Sequence, residues 1–244
     1  MSANAPGAIV RSYGLPVRKG LLLLYVPVLA LLVLVTIAVF SLRIPVSSFT
    51  RDMASIANVH PLIGVVSNVG ILLWCATVVI CLFSRSLLRE QGLHAEARFL
   101  LWAGLVTLVL LVDDFFMIHE YIAPVHFHVD EKLILASYAC GTVAYLLSHR
   151  RLILAASYQL LAVAMVLFTA SMLVDIADGR GWWRLGEDGF KILGIASWLG
   201  YHAGMARRWL AQAPHAPVQA IAATHPTEPV PGSEVESPAT ASRG

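Results

Sequence analysis

The sequence predicts an all-α integral membrane protein, a bundle of about six transmembrane helices with the N- and C-termini in the cytoplasm. Three observations support this fold class. First, 58% of the 244 residues are hydrophobic and only 13% are charged, whereas soluble domains are about half apolar and about a quarter charged. Second, apolar runs of nearly membrane-spanning length recur along the chain. Third, basic residues flank these runs in an alternating pattern.

Six apolar runs define the predicted helices. The first follows Arg18 and Lys19, and its apolar core is too long for a cleavable signal peptide, so we expect it to stay as an anchor. Each run is near the roughly 20 residues that cross about 30 Å of hydrocarbon. The backbone must satisfy its own hydrogen bonds there, which favours helices. The runs are 21–42, 61–83, 99–120, 132–148, 152–174 and 189–206.

The basic residues orient these helices. When the N-terminus is placed inside, every short cytoplasmic segment is basic, as the positive-inside rule requires. The predicted cytoplasmic residues are Arg11, Arg18, Lys19, Arg85, Arg89, Arg98, Arg150, Arg151, Arg207 and Arg208. We therefore expect a multi-pass protein of the cell membrane, or of the inner membrane if the source is bacterial, with the lipid bilayer as its main partner.

The composition also divides the chain into segments. We expect a cytoplasmic N-terminal segment at 1–19, a six-helix transmembrane domain at 20–210 and a disordered cytoplasmic tail at 211–244. The tail is rich in Pro, Ala, Thr, Ser and Glu, and it cannot bury enough apolar surface to offset the entropy of ordering. A net charge of only +2 gives no indication of a nucleic-acid partner.

Charged residues near the predicted outer side form a candidate polar site. A carboxylate in the middle of a bilayer costs at least about 2.5 kcal/mol, so the adjacent Asp113 and Asp114 require partners. Lys191 is the expected partner, because it lies about one turn into the sixth apolar run, on the helix face of Glu187. The candidate network or ligand-binding residues are Asp113, Asp114, Glu120, Asp175, Glu187, Asp188 and Lys191.

The same region offers candidate metal ligands. Asp113 and Glu120 are seven positions apart, so we expect them to share a helix face, and we expect His119 to point nearly opposite to Asp113. His126 and His128 would reach a common point if their loop is extended. Imidazole and carboxylate ligands suit zinc, iron or manganese, although the Glu-x-x-His pattern of carboxylate-bridged sites is absent from the sequence. The candidate metal ligands are therefore Asp113, Glu120, His119, His126 and His128.

Two short patterns hint at an internal duplication. The stretch Leu111–Asp113 has the same residues as Leu173–Asp175, and Ala136–Tyr138 is loosely similar to Ala196–Trp198. If these matches reflect a parallel repeat, as occurs in transporters, helices three and four correspond to helices five and six. The repeat would place Asp113 and Asp175 at a similar depth.

The stretch Leu111–Ile118 resembles a segment of the alkaline ceramidase family, whose members are polytopic and use a zinc ion held by histidines and an aspartate. The resemblance covers about eight residues. The sequence has no counterpart of the family's closing His-x-x-x-His, and Trp102 lies where the family has its earlier histidine. The activity of the family is therefore not carried over.

Three functions remain open at this point. The first is a membrane protein that binds or conducts a proton, an ion or a small polar ligand at the carboxylate and lysine network. The second is a metal-dependent membrane enzyme, a hydrolase or an oxidoreductase, that uses the His and carboxylate site. The third is a structural or assembly subunit, in which the polar groups hold helices together. A homo-oligomer or a membrane-complex partner is compatible with all three.

Overall fold

A computed structural model of the chain describes residues 17–176 and 182–212, and these residues fold into helices joined by turns and short connections. The chain divides into two compact units, Met1–Val65 and Val66–Gly244. Most of the predicted N-terminal segment and nearly all of the predicted tail lie outside the described residues. Residues 17–19 open the first helix and residues 211–212 close the last one.

The first unit consists of a long helix followed by two short ones. Helix α1 spans Val17–Leu42, α2 spans Ser47–Thr50 and α3 spans Met53–Ala57. The side chain of Asp52 caps α3, because its Oδ1 accepts a hydrogen bond from the Ala54 amide at 2.8 Å.

The second unit contains five long helices, of which the first begins at the boundary residue. After residue 116 the chain forms a π-helical turn, Ile118–Ile122, and a short helix before it enters the next long helix. The helices are α4 Val65–Glu90, α5 His94–Phe116, α6 Ala123–Phe127, α7 Glu131–Ser148, α8 Arg150–Leu154, α9 Gln159–Ile176 and α10 Trp182–Gln212.

Phe99, near the start of α5, is the centre of the core of this unit. Its ring is fully buried, and its centroid lies 5.5 Å from that of Tyr145 on α7 and 5.3 Å from that of Trp209 on α10. The start of α5 therefore lies beside the ends of α7 and α10, so α5 runs antiparallel to both. Helices α9 and α10 pack along each other, and a Cβ at Gly194 would come within 2.7 Å of the Phe168 ring.

Several polar residues lie inside the second unit together with its apolar core, and many large apolar residues face outward. The buried polar and charged side chains are Thr77, Ser84, Thr107, Asp113, Thr142, Ser171 and His202. Many large apolar side chains are exposed, among them Leu72, Phe83, Val109, Leu133 and Val166. A surface of this kind is uncommon in a soluble monomer, which rarely exposes large contiguous apolar patches.

Within residues 17–176 and 182–212, three helices are long and apolar enough to cross a membrane, whereas the sequence predicts six spans. The three segments are Tyr25–Leu42, Val65–Glu90 and His94–Phe116, and the shorter apolar stretch Gln159–Asp175 lies in α9. The predicted and observed bounds differ where the backbone breaks. Helix α4 begins after Gly64, which has a φ of +74°, and α5 ends before Met117. In α10, Lys191, His202 and several glycines lower the hydropathy of the central segment.

The two ends of the second unit carry opposite charges. We call one the carboxylate end, where α5, α9 and the start of α10 bring together Asp113, Asp114, Asp175, Glu187 and Lys191. We call the other the arginine end, where the start of α5 meets the α7–α8 junction at Arg98, His149, Arg150 and Arg151. Arg98 and Asp113 lie fifteen positions apart on α5, which is about 22 Å along a helix.

Candidate functional site

A cavity of about 370 Å³ opens at the carboxylate end. Charged and hydrogen-bonding side chains line one part of it, namely Asp113, Asp114, His119, Tyr138, Thr142, Thr169, Ser171, Asp175, Glu187 and Lys191. Apolar and aromatic side chains line the rest, namely Trp74, Leu110, Leu135, Ala139, Val143, Met165, Phe168, Met172 and Trp198. The volume lies within the range of about 300–1,000 Å³ that is usual for small-molecule sites.

Two donors from distant helices hold Asp114. Lys191 Nζ on α10 donates to Asp114 Oδ1 at 2.8 Å, and the indole N–H of Trp74 on α4 donates to Asp114 Oδ2 at 2.9 Å. The sequence analysis expected Lys191 as a partner for one of the two adjacent aspartates. It did not predict Trp74. The two hydrogen bonds from Trp74 and Lys191 thus connect α4, α5 and α10 through the carboxylate of Asp114.

Asp113 is 3% exposed and is held by a second set of donors. The Tyr138 hydroxyl on α7 donates to Asp113 Oδ1 at 2.8 Å, and the backbone N–H of His119 donates to the same oxygen at 3.0 Å. The imidazole Nδ1 of His119 pairs with Asp113 Oδ2. Both carboxylate oxygens are therefore occupied by groups of the protein.

The contact between Asp113 and His119 contradicts the continuous helix on which the sequence analysis relied. Met117 adopts a left-handed conformation with a φ of +51°, and its N–H bonds to the Asp113 carbonyl, which ends α5. The π-helical turn then folds His119 back towards Asp113. The predictions that His119 points away from Asp113 and that Glu120 shares a helix face with Asp113 are therefore wrong.

Two further carboxylates, of Asp175 and Glu187, line the cavity. Ser171 on α9 donates to the backbone carbonyl of Glu187 at 3.1 Å, which fixes the start of α10 beside α9. Glu187 lies just before the apolar run of that helix. Burial raises the pKa of its carboxyl, and the neighbouring carboxylates of Asp175 and Asp188 raise it further. The protein thus concentrates negative charge at this end.

Two of the candidate residues stay outside the cavity. Glu120 lies in the π-helical turn and Asp188 lies in the first turns of α10, and both side chains are exposed. Neither lines the cavity. Glu120 and Asp188 are therefore suitable control positions for substitutions of the carboxylates that line the cavity.

The predicted histidine loop is helical. Helix α6 includes His126, whose ring lies 5.9 Å from that of Tyr121. His128 follows with a φ of +54°, so the two rings do not alternate along an extended strand. In the described ranges 17–176 and 182–212, no three His, Cys, Asp or Glu side chains are grouped so that they could hold a metal ion.

Sequence reasoning missed the aromatic contacts of the cavity wall. The Trp198 indole donates to Thr107 Oγ1 at 3.0 Å, and Trp74 stacks on Phe168 at 5.8 Å. In an apolar run such side chains look like ordinary lipid-facing residues. Tyr138 and Trp198 did stand at equivalent places in the possible duplication, and both line the cavity. That equivalence was the available indication of their role.

His202 on α10 is fully buried. Its Nδ1 lies 2.8 Å from the Trp198 carbonyl. Because a carbonyl only accepts, Nδ1 carries the proton in the neutral ring, and Nε2 accepts from the Tyr145 hydroxyl at 3.0 Å. This contact ties α7 to α10 between the two ends.

A comparison with known families gives one match. A family model described as "Domain of unknown function (DUF8692)" matches residues 26–205, well over half of the chain, and this range includes every residue of the cavity. No curated protein and no solved structure matches the chain.

Proposed function

The chain belongs to this family of unknown function, and we propose that it is a polytopic membrane protein that binds a small ligand with a cationic head and an apolar body. The binding site is the cavity at the carboxylate end. The observation that carries the proposal is the excess of carboxylates around one lysine at the polar part of an otherwise apolar cavity.

The apolar outer surface supports a membrane setting. We propose that all six long helices cross the bilayer, because the exposed side chains of α4, α5, α7 and α9 are largely apolar. Helices α7 and α10 would be stabilised there by packing against the strongly apolar α5. The arginine end faces the cytoplasm, as the positive-inside rule requires, and the carboxylate end faces outward. In a bacterial cell this would be the inner membrane.

Cysteine labelling tests this orientation. We expect a membrane-impermeant maleimide to label Phe127→Cys in intact cells and to label Gln91→Cys only after the cells are opened. Both positions are exposed and lie at opposite ends of helices. A background in which Cys75, Cys81 and Cys140 are replaced removes the native thiols. The reverse labelling pattern would overturn the orientation.

The charge balance of the cavity favours a cationic ligand. Four carboxylates line it, those of Asp113, Asp114, Asp175 and Glu187, against one lysine and one histidine. Even with His119 protonated, four negative charges face two positive ones. A ligand that carries positive charge would offset this excess, since opposite charges attract strongly where water is partly excluded.

The hydrogen bonds divide the carboxylates into two roles. Asp113 and Asp114 already accept bonds from Tyr138, Trp74 and Lys191, so they shape the site. Asp175 and Glu187 are the groups that we assign to the ligand. Their positions at the facing ends of α9 and α10 allow both to reach one ammonium group.

The apolar part of the cavity indicates that the ligand is larger than a bare ion. Met165 and Phe168 lie ten and seven positions before Asp175 on α9. Trp198 lies seven positions after Lys191 on α10, and all three apolar side chains line the same cavity. An inorganic cation would leave this surface unfilled, whereas an amine with a hydrocarbon body would bury it at roughly 25 cal/mol per Å². Aromatic faces also attract cations.

Calorimetric titration of the full chain in lipid nanodiscs tests the proposal. The probes are hexylammonium, hexanoate and hexanol, which share one hydrocarbon body and differ in the head. We expect hexylammonium to bind most tightly. The double variant Asp175→Asn, Glu187→Gln should weaken it about tenfold or more, because charge-assisted hydrogen bonds each contribute about 1.5–3 kcal/mol.

The matched control is the double variant Glu120→Gln, Asp188→Asn, which removes two exposed carboxylates near the same end without changing the cavity lining. It should leave the affinity for hexylammonium within about twofold of the original value. Equal binding of hexanoate, equal losses in both double variants, or no binding of any probe would each reject a cation-binding cavity. The last result would favour the structural role of the polar groups.

A further inference from the structure

We propose that a second cavity, at the arginine end, binds the phosphate headgroup of an anionic phospholipid. This cavity has a volume of about 450 Å³ and lies at the opposite end of α5 from the carboxylates. It is separate from the site proposed above and does not depend on it. Its lining residues are Ala95, Arg98, Trp102, Leu147, Ser148, His149, Arg150, Arg151 and Leu152.

Two elements build the walls of the cavity. Ala95, Arg98 and Trp102 lie three and four positions apart on α5, so they share one helix face. The facing wall is the junction at which α7 ends at Ser148 and α8 begins at Arg150. Guanidinium groups therefore enter the cavity from both walls, which a cluster on one helix surface would not achieve.

The charge of the cavity is strongly positive. Three arginines line it and none of its lining residues is acidic. Across residues 17–176 and 182–212, the ion pairs join Lys191 and His119 to aspartates and involve none of these arginines. A planar guanidinium presents paired donors that match two oxygens of a phosphate, which a lysine does not reproduce.

His149 adds a positioned ring to the same cavity. Its Nδ1 donates to the Tyr145 carbonyl at 3.0 Å, and its ring packs edge-on against Phe99 at 5.5 Å. The backbone contact and the aromatic packing fix the ring, and Nε2 is the nitrogen left for the cavity. The arginine end is thus anchored to the core of the unit rather than carried on a loose loop.

The exposed apolar residues at the rim favour a lipid over a free anion. Leu147 is 62% exposed and Trp102 is 49% exposed beside the arginines. The leucine side chain offers an apolar surface against which an acyl chain can pack. Tryptophan side chains are enriched at the boundary between headgroups and hydrocarbon. Basic pockets between helices on the cytoplasmic side are suited to anionic headgroups.

Lipid titration of the purified full chain in detergent tests the proposal. The probes are dihexanoyl phosphatidylglycerol, dihexanoyl phosphatidylcholine and inorganic phosphate, and native mass spectrometry counts bound molecules. We expect phosphatidylglycerol to bind best. The variant Arg98→Gln, Arg151→Gln removes one guanidinium from each wall, and we expect it to weaken this binding about tenfold or more.

Two further variants make the result specific. Arg89→Gln, Arg207→Gln removes two charges outside the cavity and should leave binding within about twofold of the original value. Arg98→Lys, Arg151→Lys keeps the charge that directs membrane insertion but loses the paired donors, so its affinity should also fall.

If Arg98→Gln, Arg151→Gln and Arg89→Gln, Arg207→Gln weaken phosphatidylglycerol binding equally, the effect comes from general surface charge and the site is rejected. Phosphate binding as tight as that of phosphatidylglycerol would reject the lipid. Full affinity in the lysine variant would reject recognition by guanidinium groups.

Discussion

Residues of α5 and α7 line both the carboxylate cavity and the arginine cavity, but the charged side chains of the two cavities differ in their partners. At the carboxylate end, Asp113 and Asp114 are enclosed by donors from four other parts of the chain, among them Trp74 and Lys191. At the arginine end, Arg98 and its neighbours face an open cavity without ion pairs to the described acids. Asp113 and Asp114 have their partners built into the fold, whereas the arginines have charges available for an external group.

This difference follows from where each charge lies relative to the core. A buried carboxylate must be paired to be tolerated, so Asp113 and Asp114 are integrated into the packing of α4, α5, α7 and α10. Arginines at a helix end reach water and headgroups with their long side chains. Substitutions of the internally paired Asp113 and Asp114 should therefore damage folding, whereas substitutions of Arg98 and its neighbours should damage binding.

The largest effect on stability is expected from Asp113→Ala. The substitution removes the acceptor for the Tyr138 hydroxyl and for the backbone N–H of His119, and it leaves two donors without a partner. Each orphaned buried donor costs about 1–3 kcal/mol, so we expect a loss of about 3 kcal/mol in the free energy of unfolding. Unfolding in mixed micelles with increasing dodecyl sulfate measures it.

The control for Asp113→Ala is Asp188→Ala, which changes an exposed carboxylate at the same end. We expect its effect to stay within about 0.5 kcal/mol. Equal stability of the two variants would mean that the contacts of Asp113 with Tyr138 and His119 do not support the fold.

A smaller effect is expected from Lys191→Met. The side chain of Lys191 is 42% exposed in the cavity, so the loss from breaking its pair with Asp114 is reduced by solvent screening. We expect about 1–2 kcal/mol, and less in the double variant with Asp114→Asn, because the two residues act as one pair. The same unfolding assay gives both values.

Arg98→Met is the matched control for Lys191→Met. It also replaces one long cationic side chain with methionine, but in the other cavity. With no ion pair among the described residues to break, it should change the unfolding free energy by no more than about 0.5 kcal/mol. A loss as large as that of Lys191→Met would contradict the distinction between charges that are paired within the protein and charges that are available to an external group.

The helical class and the separation of charge along the helices are predictable from the sequence. Apolar runs require helices wherever backbone groups lack water, and the fifteen positions between Arg98 and Asp113 place them at opposite ends of one helix. The sequence also indicated that Lys191 would pair with an adjacent aspartate, because it is a lone cation within an apolar run.

The contacts that hold the carboxylates, in contrast, depend on the three-dimensional packing of the helices. Periodicity assumes one continuous helix, but the left-handed Met117 ends α5 and returns His119 to Asp113. The hydrogen bond from Trp74 spans 40 positions along the chain, and no local pattern encodes which indole of a bundle meets which carboxylate. A reversal of backbone φ and a long-range contact depend on the packing of whole helices, which short-range sequence patterns do not record.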